Sequence, residues 1–293
     1  MKNELNVGTI QMNCVDNHHD NQLKIEAKIK KLVNQNIDLI VLQELHDSLY
    51  FCQTEDIQKF NLAQKLTGQA SEFYSILAKK HNVVLVTSLF EKRTAGLYHN
   101  TAVVFEKNGS IAGIYRKMHI PDDPGYYEKF YFTPGDIGFE PITTSIGKLG
   151  ILICWDQWYP EAARIMALKG AEILIYPTAI GFDENDNLEE REKQLNSWKT
   201  IQKSHAIANG IPLICVNRSG IECAKNSKSK ICFWGNSFIC GPQGEVIYQA
   251  SEKEESAVTK IIMSQSESVR RNWPFLRDRR VEKYNEIQKI FID

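Results

Sequence analysis

Short apolar stretches rich in β-branched residues recur along the whole chain and predict strands. The predicted strands cover residues 5–12, 37–42, 83–90, 101–105, 149–154, 173–175, 213–216, 238–240 and 258–263. Between several of them, apolar positions with a helical period predict helices at residues 22–33, 57–79, 160–169 and 189–208. Because strands and helices alternate along the chain, the pattern indicates an α/β fold.

Turn residues divide this pattern into hairpins but not into domains. Residues 107–110 (Lys-Asn-Gly-Ser) and 241–244 (Gly-Pro-Gln-Gly) each separate two apolar segments, which predicts hairpin turns. No linker rich in proline or serine interrupts the chain, so we expect a single domain over residues 1–263 with mixed parallel and antiparallel strands. Residues 264–293 are rich in arginine and aromatic side chains. We expect them to form a C-terminal arm that contacts another subunit.

Charge and composition narrow the classes of partner. The 293 residues are 43% apolar and carry 35 Lys and Arg against 36 Asp and Glu, a net charge of −1. This balance gives no electrostatic reason to expect binding to nucleic acid or to a membrane surface. The sequence shows neither a secretory signal nor an apolar run long enough to cross a bilayer. We therefore expect a cytoplasmic protein whose partners are small molecules and other copies of itself.

The cysteines do not form the pattern of a disulfide framework or a zinc site. They are seven in number, an odd count, and they are scattered without a C-x-x-C pair. This arrangement is typical of reduced thiols. The adjacent His18 and His19 follow Asp16 and Asn17 and are interpreted as an exposed loop before a helix. No metal ion is expected in the chemistry.

Cys154 stands at a position that suits a nucleophile. It follows the apolar run 149–153 and precedes Pro160, a residue suited to the first position of a helix. In a strand-to-helix turn, free backbone N–H groups and the helix dipole would favour the thiolate. The alternative is a small buried thiol at the end of a core strand, which is the commoner role for an isolated cysteine.

A cysteine nucleophile needs a base and a donor for the oxyanion. Glu44 follows the predicted strand 37–42, so its carboxylate could emerge at the same sheet edge as Cys154 and act as the base. Lys117 is a candidate donor. A histidine base is an alternative: His119 lies beside Lys117, whereas His205 falls within a predicted helix, where a packing or capping role is expected.

Taken together, these residues resemble the nitrilase superfamily. Glu44 stands in Leu-Gln-Glu-Leu, Lys117 in Tyr-Arg-Lys-Met-His and Cys154 in Ile-Cys-Trp-Asp, and the similarity extends from the first strand to residue 245. The resemblance implies a four-layer αββα sandwich with mixed sheets and a homo-oligomer. It also implies a Cys-Glu-Lys triad that hydrolyses carbon–nitrogen bonds without any cofactor, in which Lys117 and the backbone N–H of Trp155 hold the oxyanion.

Four segments resemble one branch of the superfamily, which hydrolyses N-carbamoylputrescine to putrescine, carbon dioxide and ammonia in polyamine synthesis. They cover residues 119–122, 124–132, 154–161 and 176–181. Related enzymes that act on substrates with a carboxylate often carry an arginine shortly after the nucleophile, whereas this chain has Gln157 and Trp158 there. A cationic substrate amine needs acidic and aromatic side chains instead. The residues expected to bind substrate are Tyr127, Glu128, Trp155, Trp158 and Asp183. Glu128 could equally orient Lys117 or be an ordinary loop carboxylate, and Asp183 could be a solvated charge.

Other functions remain open at this stage. Phe182 stands where this branch commonly has a small residue, and residues 234–237 only approximate its aromatic-Gly-x-Ser segment. A β-ureidopropionase or ω-amidase activity is the alternative within the superfamily. A catalytically silent interaction protein of the same fold is a further alternative, although the presence of all three triad residues argues against it.

Overall fold

The computed structural model describes residues 2–183, 185–224 and 230–292. The strands are β1 (Glu4–Gln11), β2 (Leu39–Leu42), β3 (Val84–Thr94), β4 (Leu97–Phe105), β5 (Ile111–Arg116), β6 (Asp122–Asp123), β7 (Tyr126–Tyr127), β8 (Ile142–Thr144), β9 (Gly147–Ile151), β10 (Ile173–Pro177), β11 (Gly181–Asp183), β12 (Leu213–Val216), β13 (Ser219–Cys223), β14 (Lys230–Trp234), β15 (Phe238–Cys240), β16 (Val246–Gln249) and β17 (Glu255–Ile262). The α-helices are α1 (His18–Leu32), α2 (Gln69–His81), α3 (Glu128–Tyr131), α4 (Pro160–Leu168), α5 (Leu188–Asn209) and α6 (Gln265–Asn272).

Two six-stranded sheets form the centre of the molecule. The first has the order β17-β1-β2-β3-β4-β5, and the second has the order β16-β15-β12-β10-β9-β8. In each sheet three parallel strands, β1-β2-β3 or β9-β10-β12, are flanked by antiparallel partners. The two halves of the fold therefore repeat one strand pattern, and the mixture of parallel and antiparallel pairs expected from the sequence is confirmed.

Alternation along the strands explains how the layers stack. In β2, Leu39 and Val41 point into the core between the two sheets, whereas Ile40 and Leu42 belong to a separate cluster with residues of α1 and α2. Helices α4 and α5 pack on the second sheet, where Met166 of α4 joins the large core. The resulting order of helices, sheet, sheet and helices is the four-layer αββα sandwich that the resemblance implied.

The helices begin close to the predicted positions, with one exception. Helix α1 begins at His18, where the side chain of Asn17 accepts a hydrogen bond from the backbone N–H of Asp20. The predicted helix 57–79 is wrong in its first half, because α2 begins only at Gln69, after the N-cap residue Gly68. A short 3₁₀ segment, Ile57–Leu62, precedes it. Gln64 then pairs with β3 through the backbone of Phe90 and Lys92, so the segment cannot also be helical.

Both predicted hairpin turns are present. The first joins β4 to β5, with Gly109 at φ +86°, and the second joins β15 to β16, with Gly244 at φ +76°. Both values lie in the left-handed region that glycine adopts without strain. A third, smaller sheet, β11-β14-β13, was not expected from the sequence.

The last strand, β17, pairs with the first strand, β1, along its whole length. Helix α6 follows and contacts α5 through the Arg270 guanidinium, which donates to the backbone oxygen of Asn209 at 3.0 Å. Beyond α6, the chain runs in short turns with most of its apolar side chains exposed. Within the described ranges, no helix combines the length and the apolar character needed to cross a bilayer.

Candidate active site

Glu44, Lys117 and Cys154 follow three different strands and converge at one end of the sandwich. Glu44 lies two residues beyond β2, Lys117 follows β5 directly, and Cys154 opens a 3₁₀ turn, Cys154–Trp158, three residues beyond β9. Cys154 has φ +42°, and Leu45, next to Glu44, has φ +48°. Residues other than glycine rarely adopt this left-handed conformation, and where they do they often mark functional sites. The chain therefore turns sharply at Cys154 and next to Glu44, just beyond the ends of their strands.

A buried charge network connects the predicted triad. The Lys117 ammonium donates to Glu44 Oε1 at 2.8 Å and to Glu128 Oε2 at 2.7 Å, and all three side chains are almost fully buried. Burial alone would lower the pKa of Lys117, but the carboxylates of Glu128 and Glu44 raise it well above its usual range. The ammonium therefore keeps its charge. The loop carboxylate interpretation of Glu128 is wrong, because the side chain is buried against Lys117.

One cation between two carboxylates cannot neutralise both. Burial raises the pKa of Glu128 to about 7, against the opposing effect of the Lys117 charge. The carboxyl group of Glu128 also accepts a hydrogen bond from the Tyr50 hydroxyl at 2.7 Å. On Glu44, Oε1 takes a second hydrogen bond, from the Asn100 amide at 2.7 Å. The other oxygen of Glu44, Oε2, is buried and has no hydrogen-bond partner in the described part of the chain.

The thiol of Cys154 is held in its neutral form. Burial, followed by the nearby negative charge of Glu44, raises the pKa of Cys154 well above its usual value, and the charge of Lys117 only partly offsets this. The expectation that a helix dipole favours the thiolate is therefore wrong. Helix α4 begins only six residues later, at Pro160, so Cys154 does not belong to its first turn. A thiol in this state needs a base at the moment of attack.

The turn that carries Cys154 is fixed by a buried carboxylate, that of Asp156. Its Oδ2 accepts from the backbone N–H of Ile153 at 2.9 Å and from the Tyr115 hydroxyl at 2.8 Å. Its Oδ1 lies 2.7 Å from Nδ1 of His119, and the ring of His119 stacks on Tyr159. His119 thus supports the turn from outside, and the buried His205 ring contacts the backbone oxygen of Gln157 at 2.8 Å.

A buried ion pair holds the segment after Glu44. Arg218 donates to the backbone oxygens of Glu44 and Leu45 at 3.1 and 2.7 Å, and it pairs with Glu222 at 2.7 Å. The second oxygen of Glu222 accepts from the backbone N–H of Tyr50 at 2.6 Å. The strand β13, which carries Glu222, is thereby coupled to the position of Glu44.

Cys154 lies in the wall of a cleft of about 550 Å³. The wall also contains four of the residues expected to bind substrate, namely Glu128, Trp155, Trp158 and Asp183. Tyr127 is not among the lining residues, and its neighbour Tyr126 takes that place. The hydroxyl of Tyr126 accepts from the backbone N–H of Gly181 at 2.9 Å, which joins two sides of the cleft.

The cleft is more acidic than its single lining lysine can balance. Towards helix α5 it is lined by Asp183, Asp186, Glu190 and Lys193, and Asp123 lies on its other side. Asp183 is exposed, and its carboxylate accepts from the backbone and side chain of Asn185.

Several residues of the site were not predicted from the sequence. They are Tyr50, Asn100, Asp156, Arg218 and Glu222. Each contacts a residue that is distant in the sequence. Only Asp156, two positions after Cys154, has a place in the sequence that could have pointed to the site.

Known proteins of similar sequence identify the family of this chain. A family model for carbon-nitrogen hydrolases matches residues 6–271. An N-carbamoylputrescine amidase of Oryza sativa subsp. japonica is 40% identical over 96% of this chain and 93% of that protein. A citrullinase of Francisella tularensis subsp. tularensis is 38% identical over 98% of this chain and 99% of that protein.

A solved structure gives the same result at the level of the fold. The carbon-nitrogen hydrolase from Helicobacter pylori G27 is 54% identical, covers 99% of this chain and 100% of its own, and superposes with a TM-score of 0.96. The chain belongs to the carbon-nitrogen hydrolase family of the nitrilase superfamily and is a cysteine-dependent amidohydrolase.

Proposed function

We propose that this enzyme hydrolyses N-carbamoylputrescine to putrescine, carbon dioxide and ammonia, with Cys154 as nucleophile. The observation that supports the catalytic part most strongly is the buried Glu44–Lys117–Glu128 network beside a neutral thiol in a cleft wall. Similarity to N-carbamoylputrescine amidases supports the choice of substrate. The resemblance implies polyamine synthesis as the setting, and the cytoplasmic location remains the expectation from the sequence.

In the first step, Glu44 removes the thiol proton of Cys154 as sulfur attacks the ureido carbon. The free Oε2 of Glu44 is the oxygen available for this transfer, because Lys117 and Asn100 occupy Oε1. The negative charge that develops on the substrate oxygen is stabilised by the Lys117 ammonium and by the backbone N–H of Trp155. A site closed to water strengthens both interactions.

In the second step, the tetrahedral intermediate collapses. Glu44 returns the proton to the departing nitrogen, and the carbonyl carbon, which keeps its other nitrogen, stays attached to sulfur as a covalent thiocarbamoyl intermediate on Cys154. One water molecule, deprotonated by Glu44, attacks this carbon and releases the thiol. The product is a carbamic acid that still carries the second nitrogen, and cleavage of its C–N bond gives carbon dioxide and the second amine. The two nitrogens thus leave as putrescine and ammonia.

Recognition of the substrate amine is assigned to the acidic side of the cleft. N-carbamoylputrescine carries one positive charge at the end of an apolar chain of four carbons. Trp158 offers an aromatic face for the chain, and Asp183 offers a carboxylate for the ammonium group.

Citrulline is the second candidate substrate. It carries the same ureido group, but it ends in an amino acid whose carboxylate needs a cation. A citrullinase is among the similar proteins, and Lys193 lines the cleft. However, Lys193 already pairs with the exposed Glu189 at 2.7 Å, and five carboxylates line the same cleft. This balance favours the singly positive substrate over the zwitterion.

The test is a comparison of ammonia release from N-carbamoylputrescine, citrulline and N-carbamoyl-β-alanine. We expect the highest kcat/KM with N-carbamoylputrescine. A higher value with citrulline would keep the catalytic assignment and replace the proposed substrate. Turnover of N-carbamoyl-β-alanine alone would contradict recognition by acidic side chains.

A further inference from the structure

We propose that Asn100 is a positioning residue for the reaction, which orients the Glu44 carboxylate towards the Cys154 thiol. The inference rests on the proposed role of Glu44 as base, and it concerns a residue of β4 that does not line the cleft. Asn100 is fully buried in β4, and its side-chain amide donates a hydrogen bond to the Glu44 carboxylate.

The amide of Asn100 is itself fixed in orientation. Its nitrogen, Nδ2, donates to Glu44 Oε1 at 2.7 Å, and its oxygen, Oδ1, accepts from the Ser88 hydroxyl at 3.2 Å. Because the oxygen is held by a donor, the amide must present its nitrogen to the carboxylate. The donor therefore cannot be replaced by rotating the amide.

The bond from Asn100 decides which oxygen of Glu44 can act as base. Lys117 and Asn100 both donate to Oε1, and Oε2 is left without a partner. A carboxylate held through one oxygen in this way cannot rotate freely. Oε2, the oxygen assigned to proton transfer, is consequently kept in a single orientation before substrate binds, and such preorganisation lowers the barrier.

Asn100 and Ser88 also hold the backbone on either side of the site. The backbone oxygen of Asn100 accepts from the N–H of Lys117 at 2.9 Å, and Ser88 Oγ accepts from the N–H of Leu45 at 3.1 Å. One residue thus fixes the side chain of the base and the backbone of the lysine that pairs with it.

Other ionisable groups act on the same carboxylate and must stay unchanged in any test. They include Lys117, Glu128, Cys154, Cys52, Arg218, Tyr50, Tyr126 and Cys215. Of these groups, Lys117 alone donates to Oε1 of Glu44, so removal of the Asn100 amide leaves this oxygen with a single described donor.

A double-mutant cycle on thiol alkylation tests the inference without any substrate. The rate of Cys154 modification by iodoacetamide is measured for the wild type, Asn100→Ala, Glu44→Gln and the double variant. We expect Asn100→Ala to slow alkylation by about tenfold to a hundredfold, the loss expected for one hydrogen bond to a charged group. In the Glu44→Gln background the same substitution should have little further effect, because the group that it positions is already absent.

The matched control is Asn209→Ala, which removes another buried asparagine at the far end of α5 and should leave the alkylation rate unchanged. Equal losses from Asn100→Ala with and without Glu44 would overturn the inference, since a general structural defect is additive. If Asn100→Ala does not fold, Asn100→Asp decides. The introduced carboxyl group can donate only when protonated, so alkylation relative to wild type should recover as the pH falls, and a constant ratio would contradict the inference.

These outcomes are separable from the proposed function. Failure to release ammonia from N-carbamoylputrescine would reject that substrate but leave the alkylation cycle intact. A wild-type enzyme whose Cys154 reacts independently of Glu44 would reject the base, and Asn100 with it.

Discussion

At the scale of single residues, the site depends on one buried cation. Lys117 is fully buried and is shared between Glu44 and Glu128. Removal of one member of a buried ion pair leaves an uncompensated charge, and its effect is therefore larger than the net strength of the pair. The same residue is assigned to the oxyanion, so stability and catalysis should fall together.

Lys117→Met should lower kcat by about 10² to 10³, the usual loss for one oxyanion donor. It should also lower the free energy of unfolding by about 3–5 kcal/mol, because two carboxylates lose their shared partner. Steady-state kinetics and urea unfolding measure the two effects. Lys199→Met, which removes a half-buried lysine from α5, is the control, and equal effects from both variants would contradict the assignment.

Asp183 is the residue on which substrate preference should depend. Asp183→Asn should raise KM for N-carbamoylputrescine by about tenfold, as expected for loss of a charge-assisted contact, and leave kcat within a small factor. Glu192→Gln removes an exposed carboxylate of α5 that does not line the cleft, and it should leave KM unchanged. The same KM for both variants would place the amine elsewhere.

At the scale of elements, helix α5 supports the nucleophile turn through His205. Burial lowers the pKa of His205, although its contact with the backbone oxygen of Gln157 opposes this effect. The native state therefore keeps this ring neutral at a pH where the unfolded chain has already bound a proton. His205 therefore does not reduce the free energy of unfolding above about pH 6.5, the pKa of a free histidine. The free energy of unfolding decreases as the pH falls below this value.

His205→Gln should reduce the loss of stability between pH 7 and pH 5. The wild type should lose up to about 1.4 kcal/mol more per pH unit than the variant in this window, the limit for one proton. Urea unfolding at the two pH values provides the measurement. Parallel losses in both proteins would show that the native ring binds a proton as readily as the unfolded chain does.

Most of the sheet was predictable because buried strands are continuous apolar runs. The runs 37–42 and 213–216 show this directly, since they coincide almost completely with β2 and β12. The third sheet was missed because β11 (Gly-Phe-Asp) and β13 (Ser-Gly-Ile-Glu-Cys) mix glycine and polar residues with apolar ones, so β14 is its single strand with an apolar run. Helix α2 was extended too far towards the N-terminus because the pairing of Gln64 with β3 depends on contacts that periodicity does not show.

The site was predictable only in part. Glu44, Lys117 and Cys154 stand within three residues of the ends of strands, where sheet geometry and the family resemblance both point to function. Asn100 looks like any polar residue of a strand, and its partner lies 56 positions earlier in the sequence. Such a contact exists only once the sheet has formed, so local pattern could not reveal it.

At the scale of the whole molecule, the C-terminal arm leaves many large apolar side chains exposed to solvent. Its exposed large apolar side chains are Trp273, Phe275, Val281, Tyr284, Ile287, Ile290, Phe291 and Ile292. Exposed apolar residues in such number are typical of interaction surfaces. We propose that the arm contacts another subunit.

Deletion of residues 273–293 should convert an oligomer into smaller species, because the deleted segment carries these side chains but none of the residues around Cys154. Size-exclusion chromatography with light scattering measures the mass of both proteins. A monomeric full-length enzyme, or an unchanged mass after deletion, would contradict this role of the arm.

We propose that Cys154 carries out the hydrolysis of N-carbamoylputrescine. The most direct measurement is the initial rate of putrescine formation by the wild type, by Cys154→Ala and by Cys240→Ala, whose cysteine is equally buried but lies in β15. We expect putrescine from the wild type and from Cys240→Ala, and none above background from Cys154→Ala. Putrescine formation by Cys154→Ala at the wild-type rate would contradict the proposal.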